Sequence, residues 1–221
     1  MKTQRSSAEK RRRRPVQSRS WQTSLAIQDA FVRLLDESSY EKVTIRDIVL
    51  VAGVGLGTFY EYFDDKEDLA RVCVHMRTKK IMQALIRCRK TVAGKNLAES
   101  VAAAIESQAT IHAQAPREWR QHFLLERLKT DLEYYRTAYE LCVLEWRRLI
   151  AASADWPAGL APDEPARLVF TLVYGGFSHE ALRAGPSPDF VAASRRLRRA
   201  AMAILDDLVY PSKAFAGGKI P

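Results

Sequence analysis

Hydrophobic residues recur at helical spacing along most of this chain, and no segment shows the alternation of apolar and polar residues that marks a half-buried strand. In residues 21–38, Ile27, Phe31, Leu34 and Leu35 lie at i, i+4, i+7 and i+8, which places them on one side of a helix. The same spacing returns in later segments. The pattern therefore predicts an all-α fold.

Capping residues, glycines and prolines divide this pattern into separate helices. Thr44 and Asp47 have the spacing of a capping box, and Gly53 suits the left-handed conformation that follows a helix end. Gly94 ends a long predicted helix in the same way. The predicted helices cover approximately residues 21–38, 45–52, 55–63, 65–92, 97–113, 117–130, 132–153, 163–184 and 187–210.

The strongest local signals lie in residues 44–69. Ile45, Ile48 and Val49 give the first short helix of this stretch one apolar side. A second short helix follows after the turn at Gly53, and a third helix begins near residue 65. Two short helices joined by a tight turn that contains glycine form a helix-turn-helix, whose second helix fits the major groove of DNA.

The residues of this stretch resemble the DNA-binding half of the TetR family of bacterial transcriptional regulators, over about a quarter of the chain. The resemblance implies a three-helix DNA-binding domain followed by a larger helical bundle for ligand binding and dimerisation. Gly55 departs from the family pattern, because the usual Ser could cap the recognition helix, and Val49 stands where Ala is usual. The matching groups are Thr44-Ile45-Arg46-Asp47-Ile48, Ala52-Gly53-Val54, Gly57-Thr58-Phe59-Tyr60-Glu61-Tyr62-Phe63 and Lys66-Glu67-Asp68-Leu69, extended back through Ile27, Ala30, Phe31 and Tyr40.

The predicted domains follow from this division. Residues 1–20 are expected to be a disordered basic arm, because they are polar and have little to bury. Residues 21–68 form the helix-turn-helix domain, residues 69–211 the ligand-binding and dimerisation bundle, and residues 212–221 a flexible tail.

The placement of charge changes the interpretation of the DNA-binding domain. The chain carries a net charge of +9, but residues 21–69 have ten acidic and four basic side chains. Residues 1–20 have eight basic side chains and one acidic one, and residues 70–95 have eight basic side chains and none that is acidic. We expect attraction to DNA phosphates to come from these flanking segments, although the arm could also be only a solubilising tail.

Three widely spaced cysteines, Cys73, Cys88 and Cys142, form no CxxC pair, which argues against a zinc site or a disulfide framework and fits a reducing compartment. No apolar core of a signal peptide follows the basic start of the chain, and no apolar run approaches the ~20 residues needed to cross a membrane. We expect a cytoplasmic protein without cofactor or metal.

The candidate DNA contacts lie on the helix-turn-helix. Lys66 begins a helix whose free backbone N–H groups favour an anion, and the resemblance implies that it contacts phosphate. The alternative is a surface lysine neutralised by Asp64 and Asp65. The resemblance also implies a phosphate contact for Tyr60 and a groove or phosphate contact for Tyr62.

The front of the recognition helix carries no charge. Leu56 and Thr58 can touch thymine methyl groups, and Gly57 allows a close approach of the backbone. We expect modest direct reading of bases, helped by Arg46 and by DNA shape. The predicted DNA-binding residues are Thr44, Arg46, Gly55, Leu56, Gly57, Thr58, Tyr60, Tyr62 and Lys66.

Aromatic residues are dense between His112 and Tyr174, and a helical core would account for most of them. Some could instead line a pocket for a small apolar or aromatic effector, with His122, Glu126 or Tyr174 as polar anchors. That a pocket exists in this domain is implied by the family resemblance. The candidate ligand-binding residues are Trp119, His122, Phe123, Glu126, Trp146 and Tyr174.

The last two predicted helices carry apolar stripes suited to a homodimer interface, which the family resemblance also implies. The alternative is the core of a single chain, which must use part of this surface. A helix-turn-helix protein gains a second half-site by dimerising. The candidate interface residues are Leu168, Leu172, Gly176, Leu197, Ala201, Ile204 and Leu208.

An enzymatic function is not expected from these residues. No pair of Glu-x-x-His motifs is present for a di-iron site, and His179-Glu180 lacks the second His of a zinc protease motif. The helix-turn-helix favours a DNA-binding transcriptional regulator, and the family resemblance implies a repressor that leaves a palindromic operator when an effector binds. The alternative is a helical interaction module that has lost specific DNA binding.

Overall fold

The structure, a computed structural model, describes residues 18–185 and 187–209, and every regular element within these ranges is an α-helix. The all-α prediction is confirmed. The predicted basic arm, apart from residues 18–20, and the predicted tail lie outside the described residues. The helices are α1 (Ser18–Glu37), α2 (Ile45–Ala52), α3 (Leu56–Tyr62), α4 (Lys66–Thr91), α5 (Leu97–Gln114), α6 (Pro116–Lys129), α7 (Leu132–Ala151), α8 (Asp163–Arg183) and α9 (Phe190–Val209).

The chain divides into two compact units, with the boundary between Cys73 and Val74. Helix α4 begins in the first unit and continues without interruption into the second. None of the described helices is both long enough and apolar enough to cross a membrane.

The first unit depends on two local signals that the sequence contains. The Thr44 hydroxyl accepts a hydrogen bond from the Asp47 N–H at 3.2 Å, and the Asp47 carboxylate accepts one from the Thr44 N–H at 3.0 Å, which confirms the capping box. This pairing lowers the pKa of Asp47, because the hydrogen bonds favour the ionised carboxylate. At the other end of α2, Gly53 has φ 67° and ψ 32°, so a residue with a β-carbon would be strained there.

The core of the first unit is formed where α1 packs against α2 and α2 packs against α3. Its fully or almost fully buried side chains include Ile27 and Phe31 from α1, Ile48 from α2, Phe59 from α3 and Leu69 from α4. These residues follow the periodicity of the sequence. Tyr40, from the loop before α2, packs edge-on against Phe31, with 6.2 Å between the ring centroids.

The second unit is a bundle in which α5 and α8 both pack against α9, and α6 and α7 pack against α8. The loop after α7 closes against the start of α5, because the Asp155 carboxylate accepts a hydrogen bond from the Leu97 N–H at 2.6 Å. The Asn96 side chain caps α5 by accepting a hydrogen bond from the Glu99 N–H at 2.8 Å. Trp119, Trp146 and many aliphatic side chains fill the interior.

Two predicted helix starts differ from the structure by three residues. Helix α1 begins at Ser18, three residues before the predicted start. Helix α9 begins at Phe190 rather than near Ser187, because Asp189 acts as the cap and its carboxylate accepts a hydrogen bond from the Ala192 N–H at 2.8 Å.

Helix α9 uses much of its predicted interface stripe inside its own chain. Leu197 is 7% exposed and Ala201 has no exposed area, and both belong to the core of the second unit. Gly176 lies so close to Leu197 that a β-carbon on it would stand 2.3 Å from the Leu197 Cδ2 atom. Leu197 and Ala201 therefore leave little surface for a partner chain, whereas Gly176 is half-buried and packs against Leu197 within its own chain.

Replacing Gly176 by Ala should destabilise the second unit by about 1–2 kcal/mol, since overpacking outweighs the better helix propensity of Ala. Gly175→Ala is the matched control, because a β-carbon at that position would have no other atom within 4 Å, and it should not destabilise the chain. The measurement is chemical unfolding of each variant. In a Leu197→Ala background the cost of Gly176→Ala should disappear; equal costs in both backgrounds would contradict the proposed clash.

Candidate functional site

Helix α3 presents a small uncharged surface to solvent. Gly55, Leu56 and Gly57 are exposed at its start, and Thr58 is half-buried. No side chain caps this helix, as the replacement of the usual Ser by Gly55 predicts. A β-carbon on Gly57 would have no other atom within 4 Å, so the backbone there is open to a close partner.

The two tyrosines of α3 occupy different environments. Tyr60 is 54% exposed, and its ring packs edge-on against the buried Phe59 ring, with 5.4 Å between centroids. Tyr62 is half-buried. Tyr60 therefore packs against the core through Phe59 while about half of its surface is exposed, which suits a phosphate contact.

Thr44, the cap of α2, and Arg46, in its first turn, are the predicted DNA-binding residues of this region, and both are exposed. The Thr44 hydroxyl is occupied, since it also donates to the Asp47 carboxylate at 2.6 Å. Arg46 is exposed on the first turn of the helix. Leu50 is 79% exposed on the same helix, and the sequence reasoning did not single it out because a leucine in a helical pattern predicts core.

Lys66 has a position that the sequence did not reveal. Its ammonium group donates hydrogen bonds to the carbonyl oxygens of Tyr40 at 2.7 Å and Val43 at 2.8 Å, and lies 4.3 Å from the centroid of the Tyr40 ring. Burial, reinforced by the charges of Glu67 and Asp65, raises the pKa of Tyr40 to about 12. Lys66 thus ties the loop before α2 to the start of α4, and its contact with phosphate stays a prediction.

The second unit contains a cavity between its helices. Five of the six predicted ligand-binding residues line it: Trp119, His122, Phe123, Glu126 and Tyr174. The sixth, Trp146, is not among the lining residues and is buried in the core at 1% exposure, because α7 directs it towards the aliphatic interior. Other lining residues come from α4, α5, α7 and α8: Thr78, Ile81, Gln108, His112, Tyr135, Ala138, Tyr139, Cys142, Phe170 and Phe177.

The volume of this cavity limits what it can hold in its present form. It measures about 60 Å³, which is room for a few water-sized groups. Sites for drug-sized ligands are several times larger. Binding of a compound with one or more aromatic rings would therefore require lining side chains to move.

A carboxyl group and a phenol meet at the wall of the cavity. The Tyr174 hydroxyl donates a short hydrogen bond to the Glu126 carboxylate. Burial raises the pKa of Glu126, and burial together with the nearby Glu126 charge raises the pKa of Tyr174. Glu126 is the single carboxylate among the described lining residues, which include neither Lys nor Arg.

Two buried histidines lie beside this pair. The His112 Nδ1 atom lies 2.6 Å from the Gln108 carbonyl oxygen, and its ring stacks against Phe123 and Phe177 with centroid distances of 5.8 and 4.8 Å. Burial lowers the pKa of His112 to about 4. Burial, with the charge of Arg77 second, lowers the pKa of His122 to about 3. Both rings are therefore neutral at pH 7.

The sequence reasoning missed His112, Gln108 and the residues that α4 contributes to the cavity. His112 and Gln108 are four residues apart on α5 and so share a face with the apolar residues of that helix. A polar residue on an apolar helix face was the available signal. Thr78 and Ile81 carry no such signal, since only tertiary packing brings α4 to the cavity.

The low pKa of His122 predicts a dependence of stability on pH. The folded-state pKa of about 3 lies below the ordinary value of 6.5, so the unfolded chain binds more protons between these values. The stability due to neutral burial is complete above about pH 6.5 and is lost as the pH falls, by at most about 1.4 kcal/mol per pH unit.

The measurement is the free energy of unfolding between pH 7 and pH 4 for the natural chain and for His122→Phe. Glu126 contributes with the opposite sign, because its pKa is raised, so the difference between the two chains is the informative quantity. The variant should lose less stability on acidification. Equal losses would contradict the neutral burial of His122.

Comparison with known proteins agrees with the helix-turn-helix geometry. Residues 27–73, which span most of α1, the whole of α2 and α3 and the start of α4, match the family model described as bacterial regulatory proteins, tetR family. This match covers the capped α2, the turn at Gly53 and the recognition helix. Residues 27–73 therefore carry the helix-turn-helix segment of the tetR family of bacterial regulatory proteins.

Solved structures share the fold of this chain over most of its length. SmeT, the repressor of the Stenotrophomonas maltophilia multidrug efflux pump SmeDEF, is 19% identical with a TM-score of 0.66, and the match covers 90% of this chain and 100% of SmeT. A complex of SmeT with triclosan gives 19% identity, a TM-score of 0.65 and coverage of 90% and 99%. The regulator FadR from Bacillus subtilis in complex with stearoyl-CoA is 21% identical with a TM-score of 0.56, and the match covers 85% of this chain and 98% of FadR. No curated protein sequence matches the chain.

Proposed function

We propose that this chain is a homodimeric repressor that binds a palindromic operator and releases it when a small molecule enters the cavity of the second unit. The proposal rests on one observation: the same chain has an exposed recognition helix and a cavity lined by aromatic side chains. A regulator of this kind acts in the cytoplasm, where the DNA is.

The exposed start of α3 supports DNA contact. Leu56, Gly57 and the half-buried Thr58 form a neutral surface that can approach base edges, and Tyr60 is the exposed residue best placed for phosphate. Arg46 adds an exposed positive charge on the preceding helix. Because no Arg or Asn stands at the front of α3, we expect sequence preference to depend partly on DNA shape.

Apolar residues of α8 and α9 that are exposed or half-buried support a dimer. Leu168 is 40% exposed on α8, and Leu172 is half-buried beside it. Ile204 and Leu208 on α9 are half-buried and lie outside the core cluster. These four residues are the revised candidates for the interface, and two chains would present two recognition helices to a palindrome.

The cavity supports effector binding, and its lining favours an apolar or aromatic compound. Trp119, Phe123, Phe170 and Tyr174 provide aromatic surface, and the lining offers no Lys or Arg for a phosphate group. The SmeT and FadR complexes hold triclosan and stearoyl-CoA. The cavity of about 60 Å³ must enlarge for any of these ligands, and a single aromatic ring requires much less enlargement than stearoyl-CoA, so we favour a smaller aromatic effector.

Helix α4 provides a route from the effector to DNA. Its first residue, Lys66, holds the loop before α2, and Thr78 and Ile81 of the same helix line the cavity. A ligand that displaces these side chains would tilt α4 and change the spacing of the recognition helices in a dimer. To empty a mostly bound operator, the effector must favour the DNA-incompetent state by several kcal/mol.

The test is selection of bound fragments from a random DNA pool, followed by titration of the selected site. We expect an inverted repeat, bound by two chains with a dissociation constant that rises steeply with salt. The alternative, a helical interaction module, predicts no sequence enrichment and weak binding to every fragment.

Release is tested with the selected operator and compounds that bind the second unit. By linkage, a compound that lowers operator affinity must itself bind less tightly when operator is present, by the same factor. A compound with equal affinity in both conditions is not an inducer. Failure of every bound compound to lower operator affinity would refute the release step while leaving DNA binding intact.

A further inference from the structure

Two polar atoms at the wall of the cavity have no hydrogen-bond partner among the residues that the structure describes. They are the Gln108 Nε2 atom on α5 and the His122 Nδ1 atom on α6. Both side chains are more than nine-tenths buried, at 6% and 5% exposure. Buried polar atoms in folded proteins are almost always paired. These two unpaired atoms therefore indicate a hydrogen-bond partner from outside the chain.

The hydrogen-bonding properties of these two atoms define the group that could pair with both. The Gln108 amide nitrogen donates and requires an acceptor. The His122 Nδ1 atom is an acceptor in one neutral tautomer and a donor in the other. A hydroxyl group both donates and accepts, so a single hydroxyl oxygen suits either tautomer of His122 while it accepts from Gln108.

The other residues that line the cavity indicate which charge a bound ligand can carry. An anion would meet the Glu126 carboxyl group without a Lys or Arg on the lining to neutralise it. A cation would find Glu126 already hydrogen-bonded to Tyr174. Aromatic rings make up much of the rest of the wall. An uncharged aromatic compound fits these surroundings best.

We propose that the effector is an uncharged aromatic compound with a hydroxyl group, of the phenol class, whose hydroxyl pairs with Gln108 and His122. The inference rests on the proposed function, because it takes the cavity to be the effector site. The aromatic ring packs among Trp119, Phe123 and Phe170. Gln108 and His122 determine specificity, because without a ligand hydroxyl their polar atoms are left unpaired.

The experiment compares four probes of similar shape: 4-ethylphenol, ethylbenzene, 4-ethylbenzoate and 4-ethyl-N-methylpyridinium. Their affinities for the full chain are measured by titration calorimetry. We expect 4-ethylphenol to bind about 10–100-fold more tightly than ethylbenzene, and both charged probes to bind more weakly than 4-ethylphenol. Tighter binding of any other probe, equal binding of 4-ethylphenol and ethylbenzene, or binding of none of the four would overturn the inference.

Variants test whether the two unpaired atoms are responsible. Gln108→Met and His122→Phe remove a polar atom with little change of volume, and each should reduce the preference for 4-ethylphenol over ethylbenzene at least several-fold. Gln83→Met is the matched control, because Gln83 is exposed on α4 and does not line the cavity. Chemical unfolding confirms that each variant is folded. An undiminished preference in both folded cavity variants would refute the assignment.

The outcomes separate this inference from the proposed function. If 4-ethylphenol binds with the expected preference but does not lower operator affinity, release by an effector fails and the phenol site stands. If operator is released only by a compound without a hydroxyl group, the proposed function stands and the phenol site fails.

Discussion

Replacing Lys66 by Met should destabilise the first unit by about 2–3 kcal/mol and weaken operator binding at least about tenfold. The ammonium group makes two hydrogen bonds to loop carbonyls and lies over the Tyr40 ring. Hydrogen bonds to charged groups contribute about 1.5–3 kcal/mol each, and partial exposure of Lys66 reduces their sum. Met keeps the aliphatic stem and removes only the charge and the donors.

The expected loss of DNA affinity has a structural cause. Without the ammonium group, the loop carbonyls of Tyr40 and Val43 lose their partner, and the loop that leads into the Thr44 cap of α2 is no longer fixed. The salt dependence gives independent information. If Lys66 also contacts phosphate, as the sequence predicts, the slope of log affinity against log salt should fall by about one.

Thermal or chemical unfolding of the free protein and binding titrations at several salt concentrations provide the measurements. Lys42→Met is the matched control, since Lys42 is exposed in the same loop and its removal should change stability by no more than about 0.5 kcal/mol. An unfolding free energy unchanged by Lys66→Met would contradict the role assigned to the two carbonyl contacts.

Introducing a charge at Ile204 should convert the dimer into monomers. Ile204 is half-buried on α9 and lies outside the core cluster of its own chain, so its remaining apolar surface is available to a partner. A glutamate buried there without a counter-charge costs about 3–5 kcal/mol, and symmetry places it at the interface twice. The dimer should therefore dissociate at least about 100 times more readily.

Light scattering should give twice 25.0 kDa for the natural chain and a mass near 25.0 kDa for Ile204→Glu at micromolar concentration. Operator affinity should fall in parallel, because a monomer contacts only one half-site. Val191→Glu is the matched control, since Val191 is also β-branched and is 54% exposed on the same helix. A dimeric Ile204→Glu variant that binds the operator normally would place the interface elsewhere.

Local chemistry along the chain explains which parts of the fold the sequence predicts well. Thr44 and Asp47 cap α2 from three residues apart, and Gly53 ends it through its own backbone conformation. The buried side of α1 follows from the spacing of Ile27 and Phe31. Each of these features depends on residues within about one helical turn of each other, so a linear pattern contains the information.

The cavity depends on contacts between distant residues, which a sequence pattern does not predict. Glu126 and Tyr174 are 48 positions apart, yet their side chains share a hydrogen bond, and nothing in either local sequence pairs them. The aromatic density of the segment predicted Trp119 and Trp146 alike, but only Trp119 lines the cavity. Which side of α7 faces the cavity depends on how several helices pack together.

The sequence by itself determined that the chain is helical, where its helix-turn-helix begins and turns, and which residues face outward on the recognition helix. The tertiary structure alone decided that Lys66 holds a loop across 23 to 26 positions and that Leu197 packs against Gly176 inside the chain itself. It also decided that Gln108 and His122 line one cavity with unpaired polar atoms. The reason is physical: caps and amphipathic faces are set by neighbours within a turn of helix, whereas partners of buried polar groups are set by helix packing.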